Sequence, residues 1–256
     1  MILIDIFVVL FGLIFGSFLN VLIIRLPLQQ SIITPRSNCP SCNATISWYD
    51  NIPLLSFILL KAKCRHCSMA ISSQYPIVEF LTAGITLLLF WKLSFSLEFI
   101  QMCVMFYLFI VLSFIDLKYK AVPDYLLLFI LLLSLSLVPL NIQHLLDAML
   151  FAGGFVLLNF IVTFYIQNIK SKAVHDDALR SQEALGEGDL PIVASIGAVL
   201  GALCGLVAIF LAALFAIVPS VYNSRVKKDI QTPFIPFLSL GFGCEYLFNI
   251  SHWLIP

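Results

Sequence analysis

The sequence predicts an all-α, polytopic membrane protein with about eight transmembrane helices and a small cytosolic loop domain of zinc-ribbon type. Three observations lead there. Mean hydropathy is +1.04, and 61% of residues are apolar against 11% charged, where an average soluble domain carries about 25% charge. Apolar runs recur from one end of the chain to the other. The one substantial polar insertion carries two C-x-x-C pairs. Formal net charge is zero, so no global field points to nucleic acid, and the lipid bilayer is the partner that composition implies.

The first run, Ile2–Ile24, lacks a basic leading region and is followed by Arg25 rather than a small-residue cleavage site, so it reads as a membrane anchor instead of a signal peptide. Residues 1–24 form the first transmembrane helix, 25–76 the cytosolic loop domain, and 77–256 a core of seven further helices. Within that core the apolar runs are Ile77–Trp91, Phe99–Ile115, Tyr125–Leu140, Leu145–Ile166, Leu190–Tyr222 and Pro233–Pro256. Crossing the hydrocarbon takes about 20 residues, so several of these borrow flanking residues or sit in thin membrane. Leu190–Tyr222 is too long for one crossing. It carries Gly197, Gly201 and Gly205 at four-residue spacing, and a division near Gly205 yields eight crossings.

Basic residues test that topology, because Lys and Arg are retained in short cytosolic loops. With both termini on the periplasmic side, the cytosolic loops hold Arg25, Arg36, Lys61, Lys63 and Arg65, then Lys118 and Lys120, then Lys170, Lys172 and Arg180, then Arg225, Lys227 and Lys228. Only Lys92 falls outside. A single helix over Leu190–Tyr222 would move the last three to the wrong side.

Cys39-Pro-Ser-Cys42 and Cys64-Arg-His-Cys67 have zinc-ribbon spacing. Two such turns aim four thiolates at one tetrahedral point, which suits a structural Zn(II). Two disulfides and a thioredoxin-like redox role are the alternatives. A cytosolic loop keeps its thiols reduced, and no βαβ pattern surrounds either pair. His66 reads as a bystander, and Cys103, Cys204 and Cys244 as small core residues.

Ionisable residues at membrane depth are costly and mark functional sites. Asp116 ends the third span and Asp189 begins the sixth in Gly186-Glu-Gly188-Asp189; the topology puts both at the cytosolic interface. Two carboxylates sharing a desolvated site titrate as a pair, one acting as base toward water and the other as acid toward the developing oxyanion. The glycines at 186 and 188 are expected to admit close backbone approach around Asp189. Ordinary helix-end carboxylates, with Asp189 as a cap, are the plainer reading. Asp124, Glu79 and Glu245 are candidates for supporting roles: Asp124 as a cap for the fourth helix, the two glutamates as residues lining the same cavity.

Taken together, these residues resemble the prepilin peptidase (type IV leader peptidase) family. The resemblance rests on Phe-Gly-Ser-Phe-Leu-Asn-Val-Leu at 15–22, Arg25-Leu-Pro27, both cysteine pairs, Trp48-Tyr-Asp-Asn-Ile-Pro53, Tyr75-Pro-Ile-Val-Glu79, the Asp116 segment through Val122-Pro-Asp124, and Gly186-Glu-Gly-Asp189. It implies a bifunctional enzyme of the bacterial inner membrane that cleaves the basic leader from type IV prepilins or type II secretion pseudopilins. It also implies methylation of the new N-terminus with S-adenosylmethionine. The catalytic pair carried over is Asp116 and Asp189. The chain departs from the family pattern at Pro191, where a lysine is usual, and in Gln167–Glu187, which is longer and richer in charge; it reads as a solvated loop, with an acidic surface meeting the basic leader as the alternative.

Two other functions compete. A different G-x-G-D intramembrane aspartyl protease, presenilin-like or preflagellin-type, would lack the paired cysteine loop. A proton-coupled transporter relaying protons through Asp116, Asp189 and Glu245 would show an inverted repeat, and none is visible.

Overall fold

The computed structural model describes residues 2–137, 142–170, 186, 188–223 and 232–254. Among them there are helices and two isolated β-bridges but no strand. Five helices are long and apolar enough to cross a membrane, and two shorter apolar helices accompany them. Their outward faces are apolar, as Leu3, Phe7, Leu10 and Ile14 are all exposed on the first helix. Such a surface is stable only in lipid. The chain divides into two compact units after Tyr119.

In the first unit, α1 (Ile2–Arg25) packs along α3 (Gln74–Leu93), and both pack against α4 (Leu97–Tyr119). The α1–α3 contact is close because Gly12 and Gly16 lie one turn apart: a Cβ at Gly12 would sit 2.7 Å from Ala83 Cα, and one at Gly16 2.6 Å from Glu79 Cα. Small residues at this spacing drive helix association where no water is available to expel. Polar side chains add to it. Buried Asn20 donates to Gly16 O at 3.2 Å and to Tyr75 O at 3.1 Å, and Thr86 Oγ1 meets Tyr107 Oη at 2.7 Å between α3 and α4.

The loop between α1 and α3 holds a 3-10 turn, Trp48–Asn51, and a short helix, α2 (Leu55–Leu59). Arg25 closes the end of α1, where a cation suits the helix dipole. Its guanidinium donates to Ser31 O at 2.8 Å and Pro35 O at 2.7 Å, folding the loop back on the helix.

The second unit contains α5 (Asp124–Leu137), α6 (Ile142–Tyr165), α7 (Asp189–Tyr222), α8 (Ile235–Phe248) and α9 (Ile250–Leu254). A π-helical turn, Ile166–Lys170, extends α6. The division expected near Gly205 occurs four residues earlier, at Gly201, with φ 76° and ψ 178°. That backbone region is open essentially to glycine alone. The interruption is sharp. A Cβ at Gly197 would lie 2.5 Å from Phe151 Cδ2 and one at Gly205 2.8 Å from Phe151 Cζ. Touching one phenyl ring brings these two positions within about 8 Å, where eight residues of straight helix would separate them by about 12 Å. The start of α6 sits at the apex, with His144 Nδ1 3.1 Å from Ala198 O, and Phe151 fills the crook between the two arms. Taken as two arms, α7 brings the apolar helices among the described residues to the expected eight.

Candidate functional site

The two cysteine pairs fold alike. Cys39 N donates to Ala44 O at 3.0 Å and Asn43 N to Cys39 O at 2.9 Å; Cys64 N donates to Met69 O at 2.8 Å and Ser68 N to Cys64 O at 3.0 Å. Asn43 and Ser68, each following the second cysteine of its pair, have φ of 56° and 58°. An antiparallel bridge flanks each turn, Asn38 with Thr45 and Lys63 with Ala70. The second turn thus repeats the first 25 residues on. All four sulfurs lie within 4.8 Å of one another, and Cys39 Sγ is 3.8 Å from Cys67 Sγ. Tetrahedral coordination with metal–sulfur bonds of about 2.3 Å requires sulfurs about 3.8 Å apart. The cluster can bind a metal, and His66 is outside it.

The charge state of the cluster points the same way. The N–H groups of Cys42 and Ser41 pull the Cys39 thiol down to about 6, and those of Cys67 and His66 lower Cys64. Cys42 is pushed up to about 11: the Ala44 N–H is outweighed by burial and by the sulfurs of Cys67, Cys39 and Cys64. One proton leaves readily and the next is held by negative charge nearby, a repulsion that a bound cation relieves.

Arg65, inside the second turn, ties the module to the Trp48–Asn51 turn through a two-pronged pair with Asp50, Nη2 to Oδ1 at 2.6 Å and Nε to Oδ2 at 2.9 Å. This pairing holds the Asp50 carboxyl below the usual carboxylate range. Beneath lies a cavity of about 290 Å³ whose floor includes Tyr75 and Glu79 of α3. Glu79, only 7% exposed, accepts the Leu54 N–H through Oε2 at 2.8 Å.

Asp116 is buried near the end of α4 in the first unit, 7% exposed, and Asp189 is the first residue of α7 in the second unit, 6% exposed. Gly188, rather than Asp189, is the cap. Pro191 falls in the first turn of α7, where a missing N–H costs no helix hydrogen bond. The close backbone approach expected at the glycines is not found among the described residues. A Cβ at Gly186 would meet only the Asp189 carboxylate, Oδ2 at 3.6 Å, and one at Gly188 only Leu127 Cδ1 at 3.6 Å. Asp124 is the first residue of α5 rather than its cap.

Glu245 has the partner that its sequence position did not reveal: Ser251 donates Oγ–H to Oε1 at 2.5 Å and N–H to Oε2 at 2.9 Å across the left-handed turn at Asn249. Sequence reasoning passed over Asp147, a buried carboxylate of α6 that accepts Gln143 Nε2 at 3.2 Å and lies beside the Gly201 bend. Its charge inside the Leu145–Ile166 run was the available signal. Cys103 is buried, whereas Cys204 and Cys244 are half-buried. Glu187, Lys172, Arg180, Arg225, Lys227, Lys228 and most of the charged Gln167–Glu187 stretch lie outside the described residues.

Comparison with known proteins matches both halves of this arrangement. The Bacterial Peptidase A24 N-terminal domain matches residues 10–93, taking in α1, the cysteine module and α3, and the Type IV leader peptidase family matches residues 103–221, taking in both buried aspartates. A prepilin leader peptidase/N-methyltransferase of Bacillus subtilis is 32% identical over 94% of this chain and 93% of its own. One of the same name from Legionella pneumophila is 30% identical over 96% and 92%. Another, from Myxococcus xanthus, is 38% identical over 76% of this chain but spans only 56% of its own length. No solved structure gives a significant match. With its cysteine-bearing and aspartate-bearing halves matched in order, and a relative aligned almost end to end, the chain belongs to the type IV leader peptidase family.

Proposed function

We propose that this chain cleaves the leader from type IV prepilins or type II secretion pseudopilins at the cytosolic face of the bacterial inner membrane, and N-methylates the residue so exposed. The observation that carries the reading is the near end-to-end alignment with relatives named for both activities, in a chain whose Asp116 and Asp189 are buried carboxylates at helix ends. Hydrolysis needs only those two groups and water. One carboxylate, ionised, takes a proton from the attacking water, and the other, protonated, donates to the oxyanion forming on the scissile carbonyl.

Cys39, Cys42, Cys64 and Cys67 hold Zn(II), which staples a loop too small to build its own core. S-Adenosylmethionine supplies the methyl group when bound. Both termini lie in the periplasm and the aspartates and cysteine module at the cytosolic side, a reading that the distribution of basic residues along the sequence supports. Mass spectrometry of a candidate pilin's N-terminus tests the whole reading. Cells with the protein should yield shortened, methylated pilin and cells without it the full precursor; precursor in both overturns the proposal.

A further inference from the structure

The cavity under the cysteine module is lined by a carboxylate that has no paired cation among the described residues. Asp50 on its wall has a cation, Arg65. Glu79 has none, although a buried carboxylate without a counter-ion is costly. Its Oε2 accepts the Leu54 N–H, while Oε1 has no hydrogen-bond partner among the described residues, and neither has Tyr75 Oη. No described side-chain polar atom is both sealed from solvent and unsatisfied, so both oxygens reach open space. That space is the cavity which Tyr75 and Glu79 line together, being one helical turn apart on α3.

The other walls mix apolar side chains, Phe57, Leu60, Met69 and Ile71, with polar ones that include the Asp50–Arg65 pair and the cluster residues Cys39 and Cys64. A volume of about 290 Å³ stands at the lower edge, about 300 Å³, of small-molecule sites. Partly apolar walls, a hydroxyl and a buried carboxylate with no paired cation suit an organic cation of nucleoside size.

We propose that this cavity is the site of the sulfonium methyl donor, S-adenosylmethionine, with the Glu79 carboxylate as counter-ion to the sulfonium and the Tyr75 hydroxyl beside it. The inference rests on the methyl-transfer half of the function proposed above. It has a consequence that a structural glutamate would not have. When the acceptor amine takes the methyl group on its lone pair, the electron pair of the breaking S–C bond stays on sulfur, and the amine's surplus proton passes to solvent. The sulfur of the spent donor is then neutral, so Glu79 distinguishes donor from product by charge alone.

The test measures equilibrium binding of S-adenosylmethionine and of its neutral thioether product, S-adenosylhomocysteine, to the purified full-length protein in detergent. Glu79→Gln should weaken the sulfonium ligand by about tenfold or more and the thioether by no more than about threefold. Tyr75→Phe, which removes no charge, should weaken both alike. Equal loss of both ligands in Glu79→Gln, or unchanged donor affinity, overturns the assignment. Ultraviolet crosslinking of radiolabelled donor to the wild-type protein needs no variant; label should appear between Phe57 and Glu79, and label confined to other segments overturns it as well. Wild-type protein that cleaves a prepilin yet binds no donor defeats the pocket alone, whereas protein that neither cleaves nor methylates defeats the underlying function.

Discussion

Asn keeps the size of Asp while removing its ability to take or give a proton, so Asp116→Asn and Asp189→Asn are expected to insert normally and to lose leader cleavage by about 10³-fold or more, within the range for general acid–base groups. Asp124 opens α5 in the first turn, a position that favours an acidic residue for helix stability, and Asp124→Asn is expected to lower cleavage by less than about tenfold. A gel-shift cleavage assay on membranes compares the three. Wild-type cleavage in Asp116→Asn together with loss in Asp124→Asn would reassign the pair. Glu245 shows how a residue of the same type serves another end: its two oxygens bind Ser251 and hold the chain where α8 gives way to α9.

At the scale of elements, the cysteine module and the α7 bend each depend on local backbone geometry. Purified protein should contain about one equivalent of zinc by elemental analysis, lost progressively as Cys39, Cys42, Cys64 and Cys67 are replaced by Ser. Because the cavity proposed for the methyl donor lies in this module and the proposed hydrolysis uses only the aspartates and water, Cys39→Ser with Cys64→Ser is expected to impair methylation more than cleavage. A parallel fall of both in one sample at normal protein level would mean that the module braces the catalytic helices instead. For the bend, Gly201→Ala forces a Cβ into a φ of 76° with ψ of 178° and should cost about 1–3 kcal/mol. A thermal melt in detergent reads this against Gly154→Ala, where a Cβ meets nothing within 4 Å and little change is expected.

For the whole molecule, the distribution of basic residues sets the expected orientation. The eight-helix reading assigns thirteen of the fourteen basic residues to one side, and the assignment of Arg225, Lys227 and Lys228 depends on dividing Leu190–Tyr222 into two crossings. A C-terminal alkaline phosphatase fusion is therefore expected to be active and a C-terminal green fluorescent protein fusion dark. The reverse pattern would move the aspartates and the cysteine module to the periplasm, where reduced thiols do not persist.

Membrane class, the helices and the four cysteines were legible from the sequence, because burial in lipid and metal ligation both act through residue type and spacing, which are written along the chain. The resemblance named the aspartates for a similar reason: short motifs sit where chemistry limits the choice of residue. Glu245's partner, the exact place of the bend and the open face of Glu79 were not legible. Each depends on where a second segment lies. Ser251 reaches Glu245 only across a left-handed turn, Gly201 turns the chain where Phe151 fills the crook, and Glu79 keeps an open oxygen because the loop above it spends a single N–H on its carboxylate. Spacing along one helix sets which residues share a face, but only packing against another segment decides what that face meets and which of its polar atoms remain unspent.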